Sequence, residues 1–552
     1  MPIALARSPR VLVSLGTAAL AWFLASGARA ATIRVTPSDS YDAIENAGPG
    51  DEVVIAPGTY GFRVYLELVS PAATPLVIRG EDPQNPPVWD LSAGNVEDQP
   101  GSYTAGDRGR GCWQLSGAEN VRISDIVITE CHNASANSAG LRYYAGSRGI
   151  VLSNVVFRNN DNGLTGGTED SEITVEFSEF DQNGTLLAPT SAPSHNIYIY
   201  GGTFTMRHSF VHDPIQSQNF HIRAHDALIE YNWIARAKSY AGDLMTDDDN
   251  DDSGPQTQTM TLRGNVIVQG DDQANGSQIV AVYNDAGVSE LTLDVRLLYN
   301  TFVGNGGRAA LVHLSNEDGT RMNAVLENNI IFGTDRPTIV DDTAAGTLTG
   351  TNNWLMTGAD DTGLTDSVFG DDPGFAAAAT LDFTLRAGSA AIGAALSTVA
   401  DVPDREYYRD ETLSRMYRVR ASANDIGAFE STTTGGSTGN GGTGGTGGST
   451  GNGGMGGAVG QGGSSTTGGR TGSGGGTAGA TPNGGSATGG NAGNAPSGGT
   501  GAPTAGSSST NAESNEEDAG CGCRATPSPK SLVTTLLSLI ALSFVGRRKR
   551  RR

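Results

Sequence analysis

Five of the seven histidines, His195, His208, His212, His221 and His225, fall within 31 residues. The same stretch and the residues around it supply Tyr198, Arg223, Asp226, Lys238, Asp243 and an acidic run from Asp247 to Asp252. Three kinds of function fit these residue types. Elimination on a uronate polysaccharide needs a base to take the proton beside the carboxylate and a cation to stabilise the enolate. Lys238, His221 or Tyr198 would be the base, with His195 close by, and Arg223 or Ca²⁺ the stabiliser. Glycoside hydrolysis needs two carboxylates about the glycosidic bond instead, and Asp226 and Asp243 are the available pair. Glycan binding without cleavage needs only the hydrogen-bonding and stacking groups. Asp247, Asp249 and Asp251 could offer oxygen ligands to Ca²⁺, but without the spacing of an EF-hand loop, so a solvated insertion is the alternative.

The elements that must hold these residues are short. Between residues 31 and 430 there is no long helical periodicity; one eight-residue pattern recurs instead, with apolar residues at positions one, three and eight and a small, polar or aromatic residue at five. Its third positions are Ile123, Leu152, Val175, Met206, Ile229, Leu262, Leu297 and Leu326, with steps of 29, 23, 31, 23, 33, 35 and 29 residues. A minimum step with variable additions predicts an all-β chain wound as a right-handed parallel β-helix, each coil giving short strands and the insertions falling in turns. An antiparallel sandwich would explain the short strands but not the common register. Asn154, Asn328 and Asn329 stand where turn backbones need side-chain hydrogen bonds.

Counting back from the register marks places Ser194 to Gly202 and Gln218 to His225 as equivalent first strands of successive coils, with Ile197 and Ile199 stacked over Phe220 and Ile222. Asn196, Tyr198, Asn219, His221 and Arg223 then face outward, with Arg142 and Tyr144 in the preceding coil, as a surface able to grip a sugar chain. Lys238 is the only lysine between residues 31 and 430. Cys112 and Cys131, 19 residues apart, are placed to stack on neighbouring coils as a disulfide or to remain buried thiols.

Composition separates this region from its flanks. Of the 36 basic and 59 acidic side chains, residues 31–430 hold 24 and 55, a net charge near −31 against −23 for the whole chain. That balance disfavours nucleic-acid binding, which needs clustered Lys and Arg. Residues 1–30 combine Arg7 and Arg10, an apolar run from Val11 to Leu24 and Ala28-Arg29-Ala30, and read as a secretory signal peptide, with a single-pass anchor as the alternative. Residues 431–510 contain 33 of the 78 glycines, and residues 431–519 read as a disordered linker. Residues 520–552 carry Cys521 and Cys523, an apolar run from Leu532 to Val545 that would form a hydrophobic helix in a membrane, and a basic end.

Four resemblances rest on these residues. The order of Cys motif, short apolar span and basic end resembles the MYXO-CTERM sorting tails of myxobacterial surface proteins. That resemblance implies a sorting protease, cleavage near Cys521 or Cys523 and display on the cell surface; a plain tail anchor is the alternative. Gly48-Pro49-Gly50-Asp51 through Ala56-Pro57-Gly58-Thr59-Tyr60, following a short amphipathic cap from Tyr41 to Ala47, resembles the first coil of pectate-lyase-like β-helix proteins. Asp372-Pro373-Gly374-Phe375 and Asp425-Ile426-Gly427-Ala428-Phe429-Glu430 resemble the closing segment of bacterial surface β-helices. The segments His195-Asn196-Ile197-Tyr198-Ile199, Asn219 to Ala224 and Ser239-Tyr240…Asp243-Leu244 resemble a group of exported β-helix proteins whose strand carries a lysine where His221 stands here. The alginate and chondroitin lyases also use a strand lysine as base, so that departure leaves the reaction open. The resemblance implies a carbohydrate site without fixing its reaction. Taken with the residue types on the face, the expectation is an acidic polysaccharide as partner and lyase chemistry, with surface adhesion and glycoside hydrolysis as alternatives.

Overall fold

The computed structural model describes residues 30–102, 109–185, 194–246, 257–270, 278–284, 291–304, 310–316, 321–334, 346–407, 416–422, 424–431 and 438–440. Asp247, Asp249 and Asp251, the signal peptide up to residue 29, most of the glycine-rich segment, and the tail with Cys521 and Cys523 lie outside the described residues. Among the described residues no helix is long and apolar enough to cross a membrane.

Alternating apolar residues make a strand with one dry face, and a chain of such strands must stack them to exclude water. The register does so at every expected mark: Ile123 pairs with Leu152, Leu152 with Val175, Val175 with Met206, Met206 with Ile229, Ile229 with Leu262, Leu262 with Leu297 and Leu297 with Leu326. The same column continues toward the N-terminus through Ile78, Val53 and Ile33. A full coil contributes three strands, as in Ile197–Tyr200, Thr203–Arg207 and Phe210–His212, followed by Phe220–Arg223, Asp226–Glu230 and Trp233–Ala235. First strands build a nine-stranded sheet and the other two build a 23-stranded sheet, with parallel ladders throughout both. The protein is a parallel β-helix, not an antiparallel sandwich. At the N-terminal end the short helix Asp42–Glu45 buries Ile44 against the first coil.

The recurring pattern has two further physical causes. Its fifth position takes positive φ where the chain bends between the second and third strands: Asp125 (61°), Asn154 (54°), Phe177 (49°), His208 (53°), Tyr231 (56°), Tyr299 (55°) and Asn328 (56°). Its sixth position turns its side chain into the bend. Asn232, Asn265, Asn300, Asn329 and Asn353 form a ladder there, each amide donating to the side-chain oxygen of the next at 2.9–3.1 Å and to a backbone carbonyl. These amides satisfy buried peptide groups that the bend removes from the sheets. Cys112 and Cys131 form a disulfide with Cα atoms 6.0 Å apart, but across one coil rather than between neighbours: Cys112 lies on its first strand and Cys131 follows its third.

The C-terminal segment returns along the outside. Phe375, Phe383, Leu385, Tyr407, Ile426 and Phe429 cover Phe210, Trp233, Val266, Ile330 and Trp354, the outward residues of successive third strands. The strand Met416–Val419 pairs antiparallel with Arg405–Tyr407 and with Thr438–Asn440, so the glycine-rich segment expected as coil begins with an edge strand; backbone pairing there needs no side chains. Under this cover His208 is stacked among Phe177, Tyr231 and Tyr417, and neither ring nitrogen has a hydrogen-bond partner.

Two stability measurements follow from these columns. Asn265→Ala removes the acceptor for Asn232 and strands the donors around it, so chemical denaturation should show a loss of about 2–3 kcal/mol. Burial, with Arg405 and Arg207 adding to it, pushes His208 down to about 3. An unfolded histidine binds a proton below about pH 6.5 while the buried one does not, so this residue's contribution is present above that pH and lost on acidification. Phe177 already occupies the equivalent bend, so His208→Phe should be accommodated and should recover roughly 2 kcal/mol of the stability lost between about pH 7 and 5.

Candidate functional site

Outward positions on the nine-stranded sheet form a continuous row. Gln114, Arg142, Thr165, Tyr198, His221 and Asp243 are successive register partners. A second row carries Ser116 beside Tyr144, and Tyr200 beside Arg223. Arg142 and Tyr144 are therefore two coils from Tyr198 and Tyr200, not one; the strand Asn162–Gly166 lies between and presents only Thr165 and glycine there. Adjacent strands are about 4.8 Å apart, so Arg142 and Tyr198 stand roughly 10 Å apart across this step. Thr165 on it is 2% exposed, and its Oγ1 lies 3.3 Å from the Tyr200 hydroxyl, which leans over it. Gly167 follows the strand at the level of Tyr144 and Tyr200, and a Cβ there would sit 1.9 Å from the carbonyl oxygen of Tyr200, so that position has no room for a larger residue.

Below the tyrosines the row becomes buried. Tyr198 packs edge-on against His221 at 4.6 Å and against Tyr200 at 4.6 Å, and His195 lies 5.1 Å from His221. His221 Nδ1 is 3.2 Å from Asp243 Oδ2, and its Nε2 accepts from Arg223 Nε at 3.0 Å. A guanidinium only donates, so the proton of the neutral ring sits on Nδ1 and is given to Asp243. Gln218 also donates to Asp243, and Arg223 donates to the Thr246 carbonyl at 3.3 Å. His221 is 4% exposed and Arg223 and Asp243 are fully buried.

Burial first, then the Arg223 charge and His195, hold His221 well below the ordinary imidazole value. Burial and Arg223 likewise push His195 down to about 3. A general base works best with a pKa near the working pH, and both nitrogens of His221 are already engaged. The structure thus brings His195, His221, Arg223 and Asp243 together, but as a platform beneath Tyr198 rather than as groups facing solvent.

The remaining expected residues divide. Arg142, Tyr144 and Tyr198 are half-buried on the face, and Gln114 donates to the Tyr144 hydroxyl at 2.8 Å. Lys238 is exposed in the turn before the strand Gly242–Met245, its backbone bonded to Ser217 at 3.0 Å; Ser217 Oγ lies 3.4 Å from His195 Nδ1. Asn196 and Asn219 do not face outward. They continue an internal amide ladder from Asn160 through Asn183, because each precedes its strand at a corner where the side chain must satisfy turn backbone. The proposed hydrolase carboxylates are not a pair: Asp226 is exposed at the head of a strand in the other sheet, whereas Asp243 is buried under His221. Gln218 and Thr165 escaped sequence reasoning, since a lone Gln and Thr carry no chemical pattern until the register aligns them.

No protein-family model matches the chain, and no curated protein does. Among solved structures the chain is similar to pectate lyase Pel9A, at 15% identity over 73% of this chain and 96% of that one, with a TM-score of 0.43. It is also similar to an alginate lyase from Paenibacillus sp., at 15% identity over 53% and 93% with a TM-score of 0.40. A third is a thermostable α-1,3-glucanase from Streptomyces thermodiastaticus, at 12% over 62% and 69% with a TM-score of 0.35. At such identities the likeness is one of fold.

The platform has a spectroscopic signature. Nitrogen-15 NMR should show His221 as a neutral Nδ1–H ring that does not change between about pH 5 and 8. His132 is the internal contrast: its hydrogen bond to Asp161, 2.9 Å from Nδ1, raises its pKa, so it should titrate above the ordinary histidine value.

Proposed function

We propose that the nine-stranded face binds an acidic polysaccharide and cleaves it by β-elimination. The observation that carries this reading is the paired aromatic and arginine walls, Arg142 with Tyr144 and Tyr198 with Tyr200, on either side of the Thr165 step. Tyrosine rings stack on sugar faces and donate to hydroxyls, while Arg142 offers a fork that matches a uronate carboxylate. In the reaction, a base takes the proton beside that carboxylate. The electron pair forms the carbon–carbon double bond as the glycosidic oxygen leaves and gains a proton. Lys238 and Tyr198 are the sequence candidates for the base that reach solvent. His221 and His195, neutral and covered, position Tyr198, and Arg223 holds His221 in place. The disulfide supports an exported setting, in keeping with the proposed signal peptide, spacer and surface-sorting tail.

A second reading has its own support. With His195 and His221 buried and neutral, neither of these two rings is available for proton transfer beside Tyr198, which favours a surface adhesin that binds the glycan intact.

Alginate, pectate and glycosaminoglycans offered to the protein separate these readings. Elimination appears as rising ultraviolet absorbance from unsaturated ends, lowered about 100-fold by Lys238→Ala or Tyr198→Phe, whichever removes the base. Arg142→Ala should weaken binding about tenfold, equal to roughly 1.4 kcal/mol. Binding that depends on Arg142 without any product supports the adhesin. New reducing ends without unsaturation indicate hydrolysis, and no binding across the panel overturns both readings of this face.

A further inference from the structure

A different cluster lies on the outer face of the third strands. Glu179 and Asp181 leave one face of the strand Glu179–Asp181, and His212 stands beside Asp181 on the next coil. One ligand atom from each of the three lies within 4.8 Å of the other two. His212 Nε2 is 3.2 Å from Glu179 Oε1, while its Nδ1 is 2.7 Å from Asp213 Oδ2 and 3.6 Å from Asp181 Oδ1. Asp181 is 7% exposed; its Oδ2 accepts from Arg158 at 2.8 Å, and its buried Oδ1 has no hydrogen-bond partner. Only charge meets that oxygen among the contacts described, from the His212 ring 3.6 Å away, and a buried carboxylate oxygen without a hydrogen bond retains a lone pair for a cation.

We propose that Glu179, Asp181 and His212 form a site for one divalent transition-metal ion of the zinc class. One imidazole nitrogen and two carboxylate oxygens are a three-ligand set that leaves a position open to water. Imidazole suits zinc and its neighbours, whereas Ca²⁺ prefers oxygen ligands throughout. Asp213 takes the Nδ1 proton and so presents Nε2 as the ligand atom, the outer-shell role that carboxylates play at histidine metal sites. Arg236 in turn holds Asp213 at 2.6 Å. Two cations compete: Arg236, whose Nη2 is 3.4 Å from His212 Nδ1, and Arg158, which also lies 3.5 Å from Glu179. The Arg158 side chain is 48% exposed and can swing into solvent as the ion enters. The site is separate from the tyrosine face and independent of the reading proposed for it.

Metal content of the full-length protein, stripped with a chelator and dialysed against Zn²⁺, tests the proposal. Wild type should retain one equivalent more zinc than His212→Gln, with any zinc on Cys521 and Cys523 common to both. Glu179→Gln, half-buried and outside the core, should weaken affinity at least about tenfold while leaving circular dichroism unchanged. Arg158→Gln should tighten binding several-fold, because it removes a competing cation. Equal zinc content in wild type, Glu179→Gln and His212→Gln overturns the site, as does weaker binding by Arg158→Gln. Displacement of the zinc by excess Ca²⁺ overturns the class of ion.

Discussion

Coil-to-coil register is the constraint on which everything else in this molecule depends. Each strand gives its backbone N–H and C=O groups to the coils before and after it, so a side chain stands about 4.8 Å from the residue at the same position of the next coil. A position is therefore acceptable only if its type can stack on its neighbours. Inside, Ile, Leu, Val, Phe and Met satisfy this by dispersion and dryness, and Phe157 and Phe180 stack at 4.8 Å. At the bends, amides satisfy it by hydrogen-bonding one another while closing the turn carbonyls. Outside, where water would accept any type, the rows are free to carry chemistry.

The proposed polysaccharide face uses that freedom. Tyr198 and His221 meet at 4.6 Å because they are register partners, and His221 meets Asp243 for the same reason. The sequence places an imidazole beside an arginine two residues on, which along a strand sets both on one face. Burial then decides what they are: a neutral ring clamped between carboxylate and guanidinium, rigid rather than reactive. Aromatic walls resting on such a platform lose little side-chain entropy when a ligand stacks on them, which favours binding.

The fold was legible because the apolar columns and the bend residues recur together. Its boundaries were less so. The strand Asn162–Gly166 has few large outward side chains to mark it in the sequence, yet it separates Arg142 and Tyr144 from Tyr198 by one coil more than the repeat alone suggests. Asn196 and Asn219 have the alternation of outward residues, yet each lies just before its strand, where the corner turns the side chain inward. The pairing of Cys112 with Cys131 was visible, but not that the bond crosses a single coil. Asp181 and His212 each stand six residues after a register mark, so their juxtaposition was written in the same count that located the core.

What the sequence determined by itself is the parallel β-helix: a repeated pattern of apolar and bend residues admits one periodic stack, and that stack needs only local alternation and a step. The acidic balance of residues 31–430 and the cluster of histidines are likewise properties of the chain alone. Only the tertiary structure decided which of those histidines face water. Exposure depends on neighbours one coil away and on the returning C-terminal segment, and those distances are set by insertions of variable length that leave no mark in the local pattern. His221 became a buried support, His208 a covered stacking ring and His212 a partner of carboxylates through that packing, although the sequence presents all three as the same residue.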